Sequence, residues 1–271
     1  MVPVMSRSFF FTIAILFFTR PIANAGEWEV LDTTGNFTGE PLQYVKKVVQ
    51  KKGETASFFS KKSIHLAVFD SRHFDLKVID NGSADKAAYP DVTTAMQRNF
   101  CPAGVNGGFF LKSYAPSGLQ IADGKRTGKF GTAKLLSGVI SSDAKGNIQL
   151  LRRAEFKDGP GIQNLLQAGP FLVDKGTTVA GLSNESPRRR TFVLTDGKGK
   201  WALGLCDSLT LAELSKVLAM PDLLPGIEIT RALNLDGGTS SGFYFDTGAG
   251  NPDVYISPIK RVRNFVGISP R

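Results

Sequence analysis

Short runs of β-favouring residues, each closed within a few positions by Gly, Asp or Asn, dominate this 271-residue chain and leave little sequence for helices. Residues 63–70 and 74–79 stand either side of Ser71-Arg72-His73 and read as a hairpin. Residues 134–141 and 147–152 flank Ser142-Asp143-Ala144-Lys145-Gly146, and 191–195 and 201–206 flank Asp196-Gly197-Lys198-Gly199-Lys200, which gives two more. Two helices stand out against this background. Asp91 caps a segment whose Val92, Ala95, Met96 and Phe100 share one helical face and which ends near Cys101-Pro102. Thr210 and Glu213 form a capping-box pattern ahead of Leu214, Val217 and Leu218, with Pro221 closing that helix. A weaker third helix covers 162–166. The expected class is α+β with an excess of strands: a strand-rich mixed or antiparallel sheet with a few flanking helices, in one main domain.

The first 25 residues stand outside that fold. Arg7 precedes an apolar run over 9–18, and Ala23-Asn24-Ala25 supplies small residues at a cleavage position, so 1–25 reads as a secretory signal peptide. The run is too short for a comfortable membrane span, and no later segment approaches spanning length. The mature chain is expected to begin at Gly26, with 26–62 a loosely attached N-terminal appendage and 63–271 the main domain. Cleavage removes Arg7 and Arg20 and no acid, lowering the formal net charge from +9 to +7. A basic balance favours anionic partners. The sequence holds no nucleic-acid motif, and its basic residues are dispersed except at Arg188-Arg189-Arg190 and in Lys46, Lys47, Lys51, Lys52, Lys61 and Lys62, which read as a solvated face with a loop. In an exported protein Cys101 and Cys206 suggest one disulfide, the alternative being two buried thiols. His65 and His73 are the chain's two histidines, and both sit in strand-like sequence, which weakens any His-dependent nucleophile or metal cluster.

The chemistry concentrates in short glycine turns. Arg231-Ala232-Leu233 delivers Asn234-Leu235-Asp236-Gly237-Gly238-Thr239-Ser240-Ser241, a carboxylate followed by two glycines that permit close approach and three hydroxyls that offer donors. Asn106-Gly107-Gly108-Phe109-Phe110 places an amide on a similar turn. Gly118-Leu119 leads to Asp123-Gly124, and Gln167-Ala168-Gly169-Pro170 to another strand. Arginine at the start of the strand after 187 suits phosphate, because its planar fork gives two charge-assisted hydrogen bonds. Phe245-Asp246-Thr247-Gly248 imitates an aspartic-protease signature, but that chemistry needs two facing carboxylates in equivalent turns, so it reads as a strand end.

In order, Asn106-Gly107-Gly108-Phe109-Phe110, Gly118-Leu119 with Asp123-Gly124, Ala168-Gly169-Pro170, Arg190-Thr191 and Leu235-Asp236-Gly237-Gly238-Thr239-Ser240 resemble the phosphodiester glycosidase family, and most nearly its compact bacterial branch. The resemblance runs from about residue 64 to 266. It implies cleavage of the bond between a sugar's anomeric carbon and a phosphate oxygen, through a state that grows positive on the sugar and negative on the departing phosphomonoester. Asp236 would then serve the sugar cation, Arg190 with help from Arg189 would clamp the phosphate, and Asn106 would orient a substrate group. Gly107, Gly108, Phe109, Gly169, Gly237, Gly238, Thr239 and Ser240 would line the substrate, with Asp123 the first candidate for a second carboxylate. A phosphate leaving group reduces the need for a strong general acid, so one assured carboxylate is not disqualifying; a divalent cation held by Asp236 and Asn106 lacks motif support, and no cofactor is expected. The partners implied are sugar phosphodiesters or phosphate-bearing glycans in a Gram-negative periplasm or outside the cell. The competing class is a non-catalytic module that retains anionic envelope glycans.

Overall fold

The computed structural model describes residues 27–35, 39–55, 57, 60–248 and 250–271. The signal-peptide reading of 1–25 lies outside the described residues. The chain opens with β1 (Trp28–Thr34), β2 (Leu42–Lys51), β3 (Lys62–Asp70) and β4 (Phe74–Asp80), then α1 (Val92–Arg98), β5 (Ala103–Asn106), β6 (Gln120–Ala122) and β7 (Lys125–Thr127). Next come β8 (Gly138–Asp143), β9 (Ile148–Arg152), β10 (Ile162–Ala168), β11 (Phe171–Asp174) and β12 (Thr177–Thr178). The last third holds β13 (Arg188–Thr195), β14 (Lys200–Leu209), α2 (Leu211–Leu218), β15 (Arg231–Asn234), β16 (Phe243–Phe245), β17 (Val254–Ile256) and β18 (Asn264–Pro270).

These strands form three sheets, antiparallel at every pairing described: β1-β2-β3-β14-β13-β15-β11-β12, β7-β6-β10-β8-β9 and β17-β16-β5-β18-β4. All three turn one face into a common core, where Phe69, Phe171, Phe243, Val266 and Leu203 are almost wholly buried. Each such side chain contributes about 1.5–3 kcal/mol of transfer free energy, which is why the strands close on one another rather than lie open. The outer face of the large sheet is covered by α2 through Leu214, Val217 and Leu218. The outer face of the β5 sheet is covered by α1 through Val92, Ala95 and Met96. Both caps form as the sequence requires: the Asp91 side chain accepts from the Thr94 N–H, and Thr210 and Glu213 make the reciprocal capping box. The β8/β9 and β13/β14 hairpins form at the expected connectors.

Several sequence expectations are corrected. β3 and β4 are consecutive but do not pair: β3 lies between β2 and β14, and β4 pairs with β18 in another sheet. Ser71 donates its N–H to the Gly199 carbonyl, and this anchors the connector to the neighbouring hairpin and swings β4 away. Residues 162–166 are not a helix but the central part of β10, between β6 and β8. Burial on both faces removes the alternation that marks a strand, and Asn164 is held inside by accepting from the Val78 N–H. The described part of 27–62 is no loose appendage, because β1 and β2 extend the large sheet with Val45 and Val49 fully buried. The lysine patch is accordingly only half solvated: Lys47 is buried and donates to the Thr33 hydroxyl, and Lys51 meets Glu213 at 2.6 Å. α1 stops at Arg98, and Phe100 takes a left-handed φ of 55° with 84% of its surface exposed, so it leaves the buried face it was expected to join.

Cys101 and Cys206 are separate free thiols, which corrects the expected disulfide. Cys206 sits on β14 among the residues under α2, whereas Cys101 packs under α1 on another sheet. Burial pushes their thiol pKa values up to about 11 for Cys101 and about 12 for Cys206, which keeps both unreactive. The expected result is that an aromatic disulfide reagent titrates neither thiol in native protein at pH 8 and both after denaturation, with no change in Tm on adding reductant.

Candidate active site

Four loops meet where β5 and β15 end and β13 begins. β15 pairs with β13 so that Phe192 opposes Asn234; beyond it the Leu235 N–H donates to the Thr191 carbonyl at 2.8 Å and the Asp236 N–H to the Gly107 carbonyl at 3.0 Å. Asp236 therefore leaves the large sheet at the tip of β5. Asn106, with no exposed surface, ties the loops together. Its Nδ2 donates to the Asp236 carbonyl at 2.7 Å, and its Oδ1 accepts from the Thr191 hydroxyl at 2.7 Å and the Gly242 N–H at 3.0 Å. A side chain so fully engaged has nothing left for a sugar, so Asn106 is a positioning residue and not the substrate-orienting group expected from sequence.

A second amide works behind it. Asn264 accepts from the Gly108 N–H through Oδ1 at 2.7 Å and donates to Gln120 at 2.6 Å. A Cβ at Gly107 would come within 2.0 Å of that Oδ1, which explains glycine there by close packing against a buried amide rather than by contact with substrate. Asn234 donates to the carbonyls of Gly169 and Leu235, tying the Gly169-Pro170 segment to the Asp236 loop, while its own buried Oδ1 has no partner among the described residues. Gly238 adopts a left-handed φ of 63°, which turns Thr239 and Ser240 back over the carboxylate. The half-buried Phe109 carries the loop through its carbonyl, which accepts from the Ser117 N–H.

Asp236 is partly buried, and burial is the dominant influence on its pKa, which is raised above the ordinary carboxylate value. The Ser240 hydroxyl, the Lys260 ammonium and the Gly237 N–H, the last at 2.9 Å from Oδ1, each hold it down. Ser240 Oγ opposes the carboxylate without meeting hydrogen-bond geometry to any described group, and the neighbouring Ser241 Oγ is likewise buried without a partner. Lys260 is the residue that sequence reasoning missed. Its backbone N–H and that of Ile259 both reach the Thr239 carbonyl, and its ammonium stands 4.8 Å from the centroid of Phe110. Phe110 is itself braced edge-on by Tyr114 at 5.1 Å. Pro258-Ile259-Lys260 contains no glycine turn or other local signal; only the fold brings it to Asp236.

The arginines divide their work differently from expectation. Arg190 is near the turn, since a Cβ on Gly237 would lie 3.7 Å from its Cδ, but its guanidinium donates to the carbonyls of Leu209 and Ser186. Two arms of the fork are thus engaged with backbone, and burial lowers its pKa. Arg188 is exposed, its Cδ lies 3.8 Å from a Cβ built on Gly238, and its charge is felt at Arg190. Arg189 is exposed, and its carbonyl packs against Gly237. Asp123 is not beside Asp236: it occupies the β6–β7 turn with φ of 46°, followed by Gly124 at 77°, the positive pair a two-residue hairpin demands, and it lines a different cleft.

Around this turn stand a partly buried carboxylate, the Lys260 ammonium on the face of Phe110, the exposed Arg188 without an ion-pair partner among the described residues, and a set of hydroxyls. Such an arrangement can set negative charge against a developing cation and positive charge against a departing oxyanion. The fold is shared with solved structures: the zebrafish N-acetylglucosamine-1-phosphodiester alpha-N-acetylglucosaminidase catalytic domain, auto-inhibited by its pro-peptide, at TM-score 0.60 and 16% identity over 90% of this chain and 89% of that one. A hypothetical protein from Synechocystis matches at TM-score 0.56 and 15% identity, over 89% of this chain and 64% of that one. No curated protein sequence matches the chain significantly. Residues 99–269, which contain the Asn106 loop, the Arg190 strand, Asp236 and Lys260, match the phosphodiester glycosidase profile, and the chain belongs to that family.

Proposed function

We propose that this chain is an exported phosphodiester glycosidase that releases a sugar from its C1-linked phosphate, with Asp236 the carboxylate that meets the sugar and Lys260 and Arg188 the cations that receive the phosphate. The observation carrying this reading is the raised-pKa Asp236 set against a lysine held on an aromatic face. As the C1–O bond lengthens, positive charge appears on the ring beside Asp236 and negative charge on the phosphate oxygens, so both interactions are stronger in the transition state than in the bound substrate. Asp236 acts ionised, either on C1 itself or on a water that attacks it. Arg190 serves beside Gly237, holding the Leu209 and Ser186 carbonyls next to the turn and adding positive field. The reading requires no metal or organic cofactor, because a phosphomonoester departs without strong protonation.

Incubation of mature protein with N-acetylglucosamine-1-phosphodiesters and a panel of other sugar-1-phosphodiesters, scoring free sugar, tests it. Release from none of them combined with glycan binding would replace the enzyme by a binding module. Lys260→Ala is expected to lower kcat/KM about 10–100-fold, within the range found for single charge-stabilising groups. The same change removes a cation that holds the Asp236 pKa down, so the acid limb of the kcat/KM profile is expected to move to higher pH, with Lys260→Arg restoring much of both. An unmoved acid limb would take Lys260 out of the site.

A further inference from the structure

A cleft of about 660 Å³ opens between the β4/β18 ladder and the β6–β7 hairpin, and it contains none of the groups around Asp236. Its charge is unbalanced. Lys77, Lys86 and Lys125 reach it from three different segments, and none has an ion-pair partner among the described residues. Arg263, 7% exposed, forms one wall and is locked by a forked ion pair to Asp80. Asp123, on the hairpin turn, is the other carboxylate of the lining, so four cationic side chains face two acids, one of them already neutralised.

The remaining features suit a polyol rather than a bare ion. Tyr89 lines the cleft beside the buried Asn81, whose amide is fully occupied in bonding the Tyr89 backbone and the Val262 carbonyl, so the aromatic ring has a rigid mount. Thr127 presents a hydroxyl whose oxygen is buried and unpartnered, and Asp123 offers free acceptor oxygens. An aromatic face, hydroxyl and carboxylate acceptors, and separated ammonium groups are the complement of a sugar ring carrying negative charge. The walls are preformed, since the Asp80–Arg263 pair joins β4 to β18 and the cleft needs no closure to exist.

We infer that this cleft is a binding site for a phosphate- or carboxylate-bearing saccharide, separate from the Asp236 site. A hydrolase with such a site holds an anionic glycan at one place while the Asp236 loop works at another. The cleft stands on its own geometry and does not depend on the catalytic reading.

The test is calorimetric titration of the mature protein with mannose 6-phosphate, a galacturonate oligomer, neutral mannose and inorganic phosphate, repeated on Lys86→Glu/Lys125→Glu and on Arg188→Glu. Both lysines are exposed, and a matching Tm confirms that the double variant folds. The expected result is saturable binding of the two anionic saccharides, at least tenfold weaker binding of neutral mannose and of phosphate, a tenfold or greater loss in the double lysine variant and none in Arg188→Glu. Turnover of a small sugar-1-phosphodiester is expected to be unchanged in the double variant, which separates failure here from failure of the catalytic proposal. Equal binding of phosphate alone, loss of binding in Arg188→Glu instead, or no saturable binding of either anionic saccharide would each overturn the inference.

Discussion

Asp236→Asn is expected to lower kcat/KM by about 10³-fold or more while making the protein more stable. The rate loss follows from the proposed mechanism, in which Asp236 is the ionised group that meets the sugar: an amide is neither nucleophile nor base, and losses of this size accompany removal of a positioned acid–base group. The stability gain follows from the direction of the pKa shift. Burial raises the Asp236 pKa in the folded state above its value in the unfolded chain, so the folded protein binds the proton more tightly. Stability therefore falls as pH rises through the interval from the unfolded pKa to the folded one, and above it the wild type carries the whole cost of an ionised, partly buried carboxylate. Asn keeps an oxygen for the Gly237 N–H and carries no charge. The difference in Tm between variant and wild type should be near zero at pH 3 and grow to a plateau at neutral pH, about 2–4 °C for each kcal/mol in a chain of this size. A variant that is inactive but no more stable at neutral pH would mean that the carboxylate is fully solvated in the folded protein. A variant that keeps its activity would remove Asp236 from the reaction.

How far the sequence led depended on whether a feature was local. The capping box at Thr210 and Glu213, the hairpins around 142–146 and 196–200 and the Asp236 turn are each written in a few adjacent residues, and each forms as read. The number of sheets was not legible, because whether β3 and β4 pair is settled by the Gly199 carbonyl, more than a hundred residues further on. Residues 162–166 of β10 read as a helix because burial on both faces erases the strand period. The site divides in the same way. Asp236 and its glycines announce themselves, but Lys260 lies in a segment with no turn chemistry, and the roles of Asn106 and Arg190 were assigned by residue type when their hydrogen bonds decide them. An amide beside two glycines looks like a substrate ligand until its three partners are seen to be protein.

Asn106→Ala is the change expected to do most damage to the fold of the site. It strands the Thr191 hydroxyl, the Gly242 N–H and the Asp236 carbonyl in a place with no exposed surface. Each buried group left without a partner costs about 1–3 kcal/mol; allowing for relaxation, a total of about 3 kcal/mol or more is expected, which lowers Tm by about 6–12 °C. Activity should fall mainly through kcat, because the lost bond holds the backbone of Asp236 and leaves Lys260 and Arg188 in place for binding. Asn106→Asp separates positioning from direct contact with substrate. Protonated, Asp still offers one donor to the Asp236 carbonyl and an oxygen to Thr191 and Gly242; ionised, it sets a buried charge against that carbonyl. Its pKa in the folded state must rise, so the variant's stability, and its activity relative to wild type at the same pH, should both be recovered towards acid pH and lost together as pH increases. A residue that touched only substrate would lose activity with no such coupled fall in Tm. Thr191→Val, which removes one donor and keeps the shape, should cost only about 1 kcal/mol, because the Asn106 oxygen retains the Gly242 N–H.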